Sequence, residues 1–86
     1  MPPQATDATV TVRYWAGARA AAGVDSDTVS GCATVGEAVA AVTRLRPALE
    51  PVTAVSSLLL EGVPADRDAA LPAGAVVEVL PPFAGG

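Results

Sequence analysis

The sequence predicts one small α+β domain: a mixed sheet packed on a single main helix, with a short tail carried past the last strand. Three observations predict it. Apolar residues alternate near both ends of the chain, the signature of half-buried strands. A single well-capped amphipathic helix stands between them. The chain has 86 residues, and a chain of that length hides only about 60–65% of its unfolded surface, enough for one core.

Val10, Val12 and Tyr14 alternate with Thr11, Arg13 and Trp15, so the first strand turns the former set inward and Trp15 outward. Residues 16–22 are alanine-rich and end at Gly23, as in a short helical turn closed by glycine. Thr28 and Val29 lie in a weak second strand over 25–30, hairpin-like with the first. Thr34 and Glu37 form a capping-box pair. Val35, Ala38, Val39, Val42 and Leu45 then make one apolar stripe, Arg44 and Arg46 suit the negative helix end, and Pro47 stops the helix. A short second helix is expected within 49–55. Leu58-Leu59-Leu60 before Gly62 reads as a buried strand, and 65–70 as a polar excursion. Leu71-Pro72-Ala73-Gly74 has the residues of a type I turn. The last strand is 75–80, with Val77 and Val79 on one face and Val76, Glu78 and Leu80 on the other. One helix covering one face of a small mixed sheet is the economical packing. The β-grasp, or ubiquitin-like, fold has this order, with its first and last strands parallel at the sheet centre. Order alone does not separate it from a ferredoxin-like arrangement. The expected organisation is a disordered arm at 1–8, a domain at 9–80 and a reactive tail at 81–86.

The composition excludes much. There is no histidine and no lysine, and Cys32 is the single cysteine. The usual neutral-pH acid/base, a Schiff-base amine and a Cys-His or Ser-His pair are therefore missing, which argues against an independent enzyme. One thiol makes neither an internal disulfide nor a metal cluster, and a reduced thiol suits a cytoplasmic protein. Five arginines against nine carboxylates leave a net charge of −4, which argues against nucleic acid. No segment is apolar over the length a membrane span needs, and the first residues lack the pattern of a signal peptide. Asp66 and Asp68 flank Arg67 in what reads as a solvated turn; no metal site is expected, since no third ligand type is near.

The chemistry lies in the tail. Pro81 and Pro82 end the last strand, because neither donates to a ladder, and they hold the chain extended. Phe83, Ala84, Gly85 and Gly86 follow. Glycines without Cβ enter a narrow channel and approach a reacting centre closely. A terminal glycine is achiral, so activating its carboxyl group cannot epimerise it. Its carboxylate is ionised at neutral pH and can attack the α-phosphate of ATP held by a partner, giving an acyl-adenylate open to sulfur or nitrogen nucleophiles. Two glycines alone also describe a frayed end; the whole string from Leu80 to Gly86 after a strand is more specific.

On Val10 to Trp15 with Ala16-Gly17-Ala18-Arg19, on Leu71-Pro72-Ala73-Gly74, and above all on the Pro-Pro-x-Ala-Gly-Gly ending, the sequence resembles the small subunit of molybdopterin synthase, the MoaD-type member of the MoaD/ThiS ubiquitin-like sulfur carriers. The resemblance implies that an E1-like, MoeB-type enzyme adenylates Gly86 using ATP and that a sulfurtransferase completes the thiocarboxylate. It implies further that the tail enters a MoaE-type large subunit to give sulfur to cyclic pyranopterin monophosphate, in an assembly of two small and two large subunits. Gly86 then carries the sulfur, while Gly85 and Ala84 thread the channel. No bound cofactor is expected. Phe83 stands where smaller aliphatic residues are familiar, either as an anchor in the partner or folded on its own domain. Strand parity puts Trp15 and Leu80 on the face away from the helix, so Trp15, Leu80 and Phe83, with Arg19 on the rim, form the expected partner patch. Rival readings are a carrier for thiamine, cysteine or another sulfur route, a ubiquitin-like modifier joined through Gly86 to target lysines, and a simple binding domain with an idle tail.

Overall fold

The computed structural model describes residues 9–82. The expectations for the arm at 1–8 and for Phe83, Ala84, Gly85 and Gly86 lie outside the described residues. Five strands and three helices run in the order β1 (Thr9–Tyr14), α1 (Ala16–Ala22), β2 (Ser26–Ser30), α2 (Val35–Leu45), a 3-10 turn (Pro47–Leu49), α3 (Glu50–Thr53), β3 (Ser57–Leu60), β4 (Val63–Pro64) and β5 (Val76–Leu80). The sheet order is β2-β1-β5-β3-β4. β1 and β5 are parallel neighbours at its centre, with Val12 beside Val77 and Tyr14 beside Val79. β2 and β3 run antiparallel to them on either side. This is the β-grasp arrangement.

Strand parity holds. Val10, Val12, Tyr14, Val77 and Val79 are buried with Leu58 beneath α2, which contributes Val35, Ala38, Val39 and Val42. α2 begins as its sequence dictates: the Glu37 N–H donates to Thr34 Oγ1 at 3.2 Å. Glu37 reaches one residue further back than a standard capping box, where its Oε1 accepts from the Ala33 N–H at 2.7 Å. Two more orphan amides of this helix end are satisfied from the polar loop: Val35 N–H donates to the Ala69 carbonyl and Gly36 N–H to the Arg67 carbonyl. A Cβ on Gly36 would stand 3.0 Å from that carbonyl oxygen, so glycine is what lets the loop lie against the helix.

Several expectations need correction. Leu45 does not join the stripe; it is 59% exposed, because the chain leaves the helix at Arg46 (φ −132, ψ 88) and Leu49 from the next turn is the buried group there. Arg46 serves more than the helix dipole, since its guanidinium turns back onto the Asp27 carboxylate. Val63–Pro64, for which the sequence predicts no element, is a two-residue edge strand. Glu61 (φ 53) and Gly62 (φ 80) turn the chain between β3 and β4, and two positive φ angles in a two-residue loop are the requirement of a type I′ hairpin. The turn before β5 is shifted by one residue: the Ala75 N–H donates to the Pro72 carbonyl. Gly74 therefore sits third, at φ 77, the geometry of a type II turn.

Candidate functional site

The site is the end of the central strand. β5 is hydrogen-bonded on both edges, to β1 and β3, so the point from which the tail departs is fixed by the middle of the sheet. β1 runs parallel beside it and ends at Tyr14; the Trp15 N–H then donates to the Val79 carbonyl at 3.2 Å. That bond brings Trp15 next to Leu80. Trp15, Ala16, Leu80 and Pro81 line a small, almost wholly apolar pocket of about 150 Å³. Trp15 is 41% exposed; Pro81 is half-buried and Pro82 exposed.

Two features hold Trp15 there. Its carbonyl accepts the Ala18 N–H at 2.9 Å, opening α1, and Ala16 follows at φ 47. A side-chain-bearing residue in the left-handed region costs about 1 kcal/mol, and here that conformation turns the chain sharply beside the pocket. The Arg13 guanidinium lies 5.2 Å from the Trp15 ring centroid, a cation–π contact. Arg13 faces outward on β1 and Trp15 follows two residues later on the same side, a spacing that is the sequence signal for this contact.

Of the expected patch, the structure brings Trp15 and Leu80 together, with Ala16 and Pro81 beside them. Arg19 does not itself line that pocket. It lines an adjoining depression with Ala16 and Asp25 and pairs with Asp25 at 3.1 Å, both side chains largely exposed. Phe83, Ala84, Gly85 and Gly86 are beyond the described residues. The same open face carries Val76, Glu78 and Leu80 of β5, with Leu59 of β3 beside Glu78.

Behind Tyr14 lies a polar cluster that the sequence did not reveal. The Tyr14 hydroxyl donates to Asp27 Oδ2 at 2.7 Å. Arg46 Nε and Nη2 donate to the two carboxylate oxygens of Asp27 at 2.6 and 2.8 Å. Arg46 Nη1 reaches the Ala22 carbonyl at 3.3 Å. One guanidinium thus ties β2, the end of α1 and the end of α2 together, in the bidentate geometry arginine favours. Hydrogen bonding from Arg46 holds the Asp27 carboxyl below its ordinary range. Burial, then Asp27, pushes the Tyr14 phenol well above its ordinary value. The pieces are far apart in sequence, so no local pattern marks them.

Cys32 is half-buried at the end of β2. Its thiol donates to the Ser30 carbonyl at 3.6 Å, and burial, then the Glu37 carboxylate, raises it above its ordinary value. It has the surroundings of an unreactive thiol. Among the described residues no group of three metal-ligating side chains is gathered, and no helix is long and apolar enough to cross a membrane.

A β-grasp domain whose central strand ends beside an apolar pocket, with a Gly-Gly pair following in the sequence, defines the class of ubiquitin-like carriers. The sequence matches the ThiS family over residues 12–86. The chain belongs to that family, the ThiS/MoaD-type ubiquitin-like sulfur carriers. No curated protein sequence matches it significantly. Among solved structures it is similar to SAMP1 of Haloferax volcanii, a small archaeal modifier protein, at 28% identity and TM-score 0.80 over 91% of this chain and 99% of that one. It is similar to a putative molybdopterin converting factor subunit 1 of Pyrococcus furiosus at 25% identity and TM-score 0.78, over 87% and 98%. Its fold is also that found in a complex of subunits 1 and 2 of the molybdopterin-converting factor of Helicobacter pylori, at 22% identity and TM-score 0.69, over 91% and 99%.

Proposed function

We propose that this chain is the sulfur-carrying small subunit of a molybdopterin synthase. The Gly86 carboxylate attacks the α-phosphate of ATP on an E1-like, MoeB-type partner and releases pyrophosphate. The terminal sulfur of a persulfide on a sulfurtransferase then attacks the acyl carbon, the bond to phosphate breaks and AMP leaves; a thiol reductant cleaves the resulting S–S bond and frees the thiocarboxylate. The thiocarboxylated tail enters a MoaE-type large subunit, with Ala84 and Gly85 in its channel, and donates sulfur to cyclic pyranopterin monophosphate. The cofactor belongs to the pathway; ATP is consumed by the activating partner.

The observation that carries this reading is the apolar pocket of Trp15, Ala16, Leu80 and Pro81 at the root of the tail. A partner that takes the tail must pass over it. Trp15 then acts as an aromatic anchor, with Leu80 beside it, Phe83 entering the partner's groove and Arg19 on the rim. The family match and the likeness to the Pyrococcus furiosus protein support the chemistry. The likeness to SAMP1 favours a second reading, in which the activated Gly86 is joined to lysines of other proteins.

The two readings separate in one reconstitution. The thiocarboxylated chain is mixed with the large subunit and cyclic pyranopterin monophosphate. Synthase activity returns the chain with its sulfur replaced by oxygen and yields a dithiolene. Sulfur that stays on the chain, together with isopeptide adducts on other proteins in cells, would sink the synthase reading in favour of the modifier.

A further inference from the structure

We infer that this chain is a one-way acyl donor: its activated terminus finds no acceptor side chain on another copy of itself. The inference rests on the reading above, in the step that both its versions share, the activation of Gly86. An acyl-adenylate is open to any unprotonated amine. The nitrogen attacks the acyl carbon, a C–N bond forms, the bond to phosphate breaks, AMP leaves and the nitrogen gives up a proton to solvent. A carrier with exposed lysines would meet that nucleophile on every neighbouring copy.

None of the 86 residues is lysine; all five basic side chains are arginine, and a guanidinium stays protonated and is no acyl acceptor. The fold does not demand this. Arg46 needs its planar fork for Asp27 and Arg13 for its place over Trp15. Arg19 is in an exposed pair with Asp25 that a lysine would serve as well, and Arg44 is an exposed residue of the last turn of α2, where any cation suits the helix end.

The other nucleophilic side chains are poorly activated. Cys32 is half-buried with its thiol hydrogen-bonded to a carbonyl. The Tyr14 hydroxyl is buried and donates to Asp27. Serine and threonine hydroxyls need a general base, and histidine, the usual one at neutral pH, is absent. No side chain of a neighbouring copy therefore competes for the acyl group with a sulfur donor or with an amine on another protein.

The test uses the full chain with its E1-like partner and ATP, without a sulfur source, and with free lysine added as a probe amine. Intact mass is read for the native chain, for Arg44→Lys and for Ala40→Lys, an exposed position on α2 remote from the pocket. The native chain should gain the free-lysine adduct and show no species of two chains less one water, while the lysine variants should show that species. A two-chain adduct of the native protein joined at a side chain, such as a thioester at Cys32 lost on thiol treatment, would overturn the inference. So would lysine variants that stay single while free lysine is acylated, because the missing lysines would then decide nothing. Absence even of the free-lysine adduct marks a different failure, that of Gly86 activation itself.

Discussion

Replacing Trp15 by alanine separates the role of the pocket from the stability of the fold. Trp15 is 41% exposed; on a side chain of about 250 Å² this leaves about 100 Å² for a partner to cover. At about 25 cal/mol per Å² that surface is worth about 2.5 kcal/mol of docking, about 60-fold in affinity. Trp15 shares a small apolar pocket with Leu80 and Pro81 and lies under the Arg13 guanidinium. Losing that packing and the cation–π contact should cost the fold about 1–2 kcal/mol, a modest part of the total for a domain of this size. The assay is calorimetric titration of the large subunit with native and Trp15→Ala chains, alongside urea unfolding of each. A folded variant whose affinity falls by less than about threefold would refute the anchor, since it would show that the exposed ring is not covered on docking. A variant with no cooperative unfolding would equally refute it, by making Trp15 a core residue.

Other predictions follow from the same contacts. Leu49 is fully buried, so Leu49→Ala should lose about 3–4 kcal/mol in urea unfolding; a loss below about 1 kcal/mol would mean that this end of the core is not packed. The Asp27 carboxyl is held below its ordinary range by Arg46. It therefore contributes stability that is complete above its unfolded value near pH 4 and is lost as pH falls through the folded value. Asp27→Asn should lower stability at pH 7 and flatten the acid limb below pH 4, and an unchanged limb would show that the Arg46 pair is not formed. The Cys32 thiol is raised above its ordinary value, so alkylation by iodoacetamide at neutral pH should run slower than for a free thiol and speed up on unfolding. Equal rates in the two states would contradict the half-buried placement.

What the sequence revealed, and what it hid, divides by range. β1 was legible because Val10, Val12 and Tyr14 alternate with polar residues, and α2 because Thr34, Glu37 and the valine stripe agree on one start and one face. Both signals are carried by residues within one turn or one pleat of each other. The outward placement of Trp15 and Leu80 followed from strand parity, and their juxtaposition from the parallel pairing of β1 with β5. Leu45 was misread because the stripe continues one turn past the point where backbone geometry takes Arg46 out of the helix. β4 was missed because two residues, one of them proline, carry no period, and only the positive φ of Glu61 and Gly62 makes the hairpin. The Tyr14–Asp27–Arg46 cluster was invisible because its members meet only once three elements have packed. Arg67 is exposed in a turn with Asp66 and Asp68, as its sequence suggests; that its carbonyl caps α2 and its Nη2 donates to the Thr53 carbonyl at 3.0 Å depends on elements distant in sequence.

The most direct test of the carrier is the intact mass of the chain recovered from cells that hold the E1-like enzyme and a sulfur source, compared with cells that lack the enzyme. The account predicts a species with one oxygen replaced by sulfur, present only with the enzyme and lost when Gly86 is deleted. An unchanged mass while both partners are active would contradict it, and the molybdopterin assignment would fall with the thiocarboxylate.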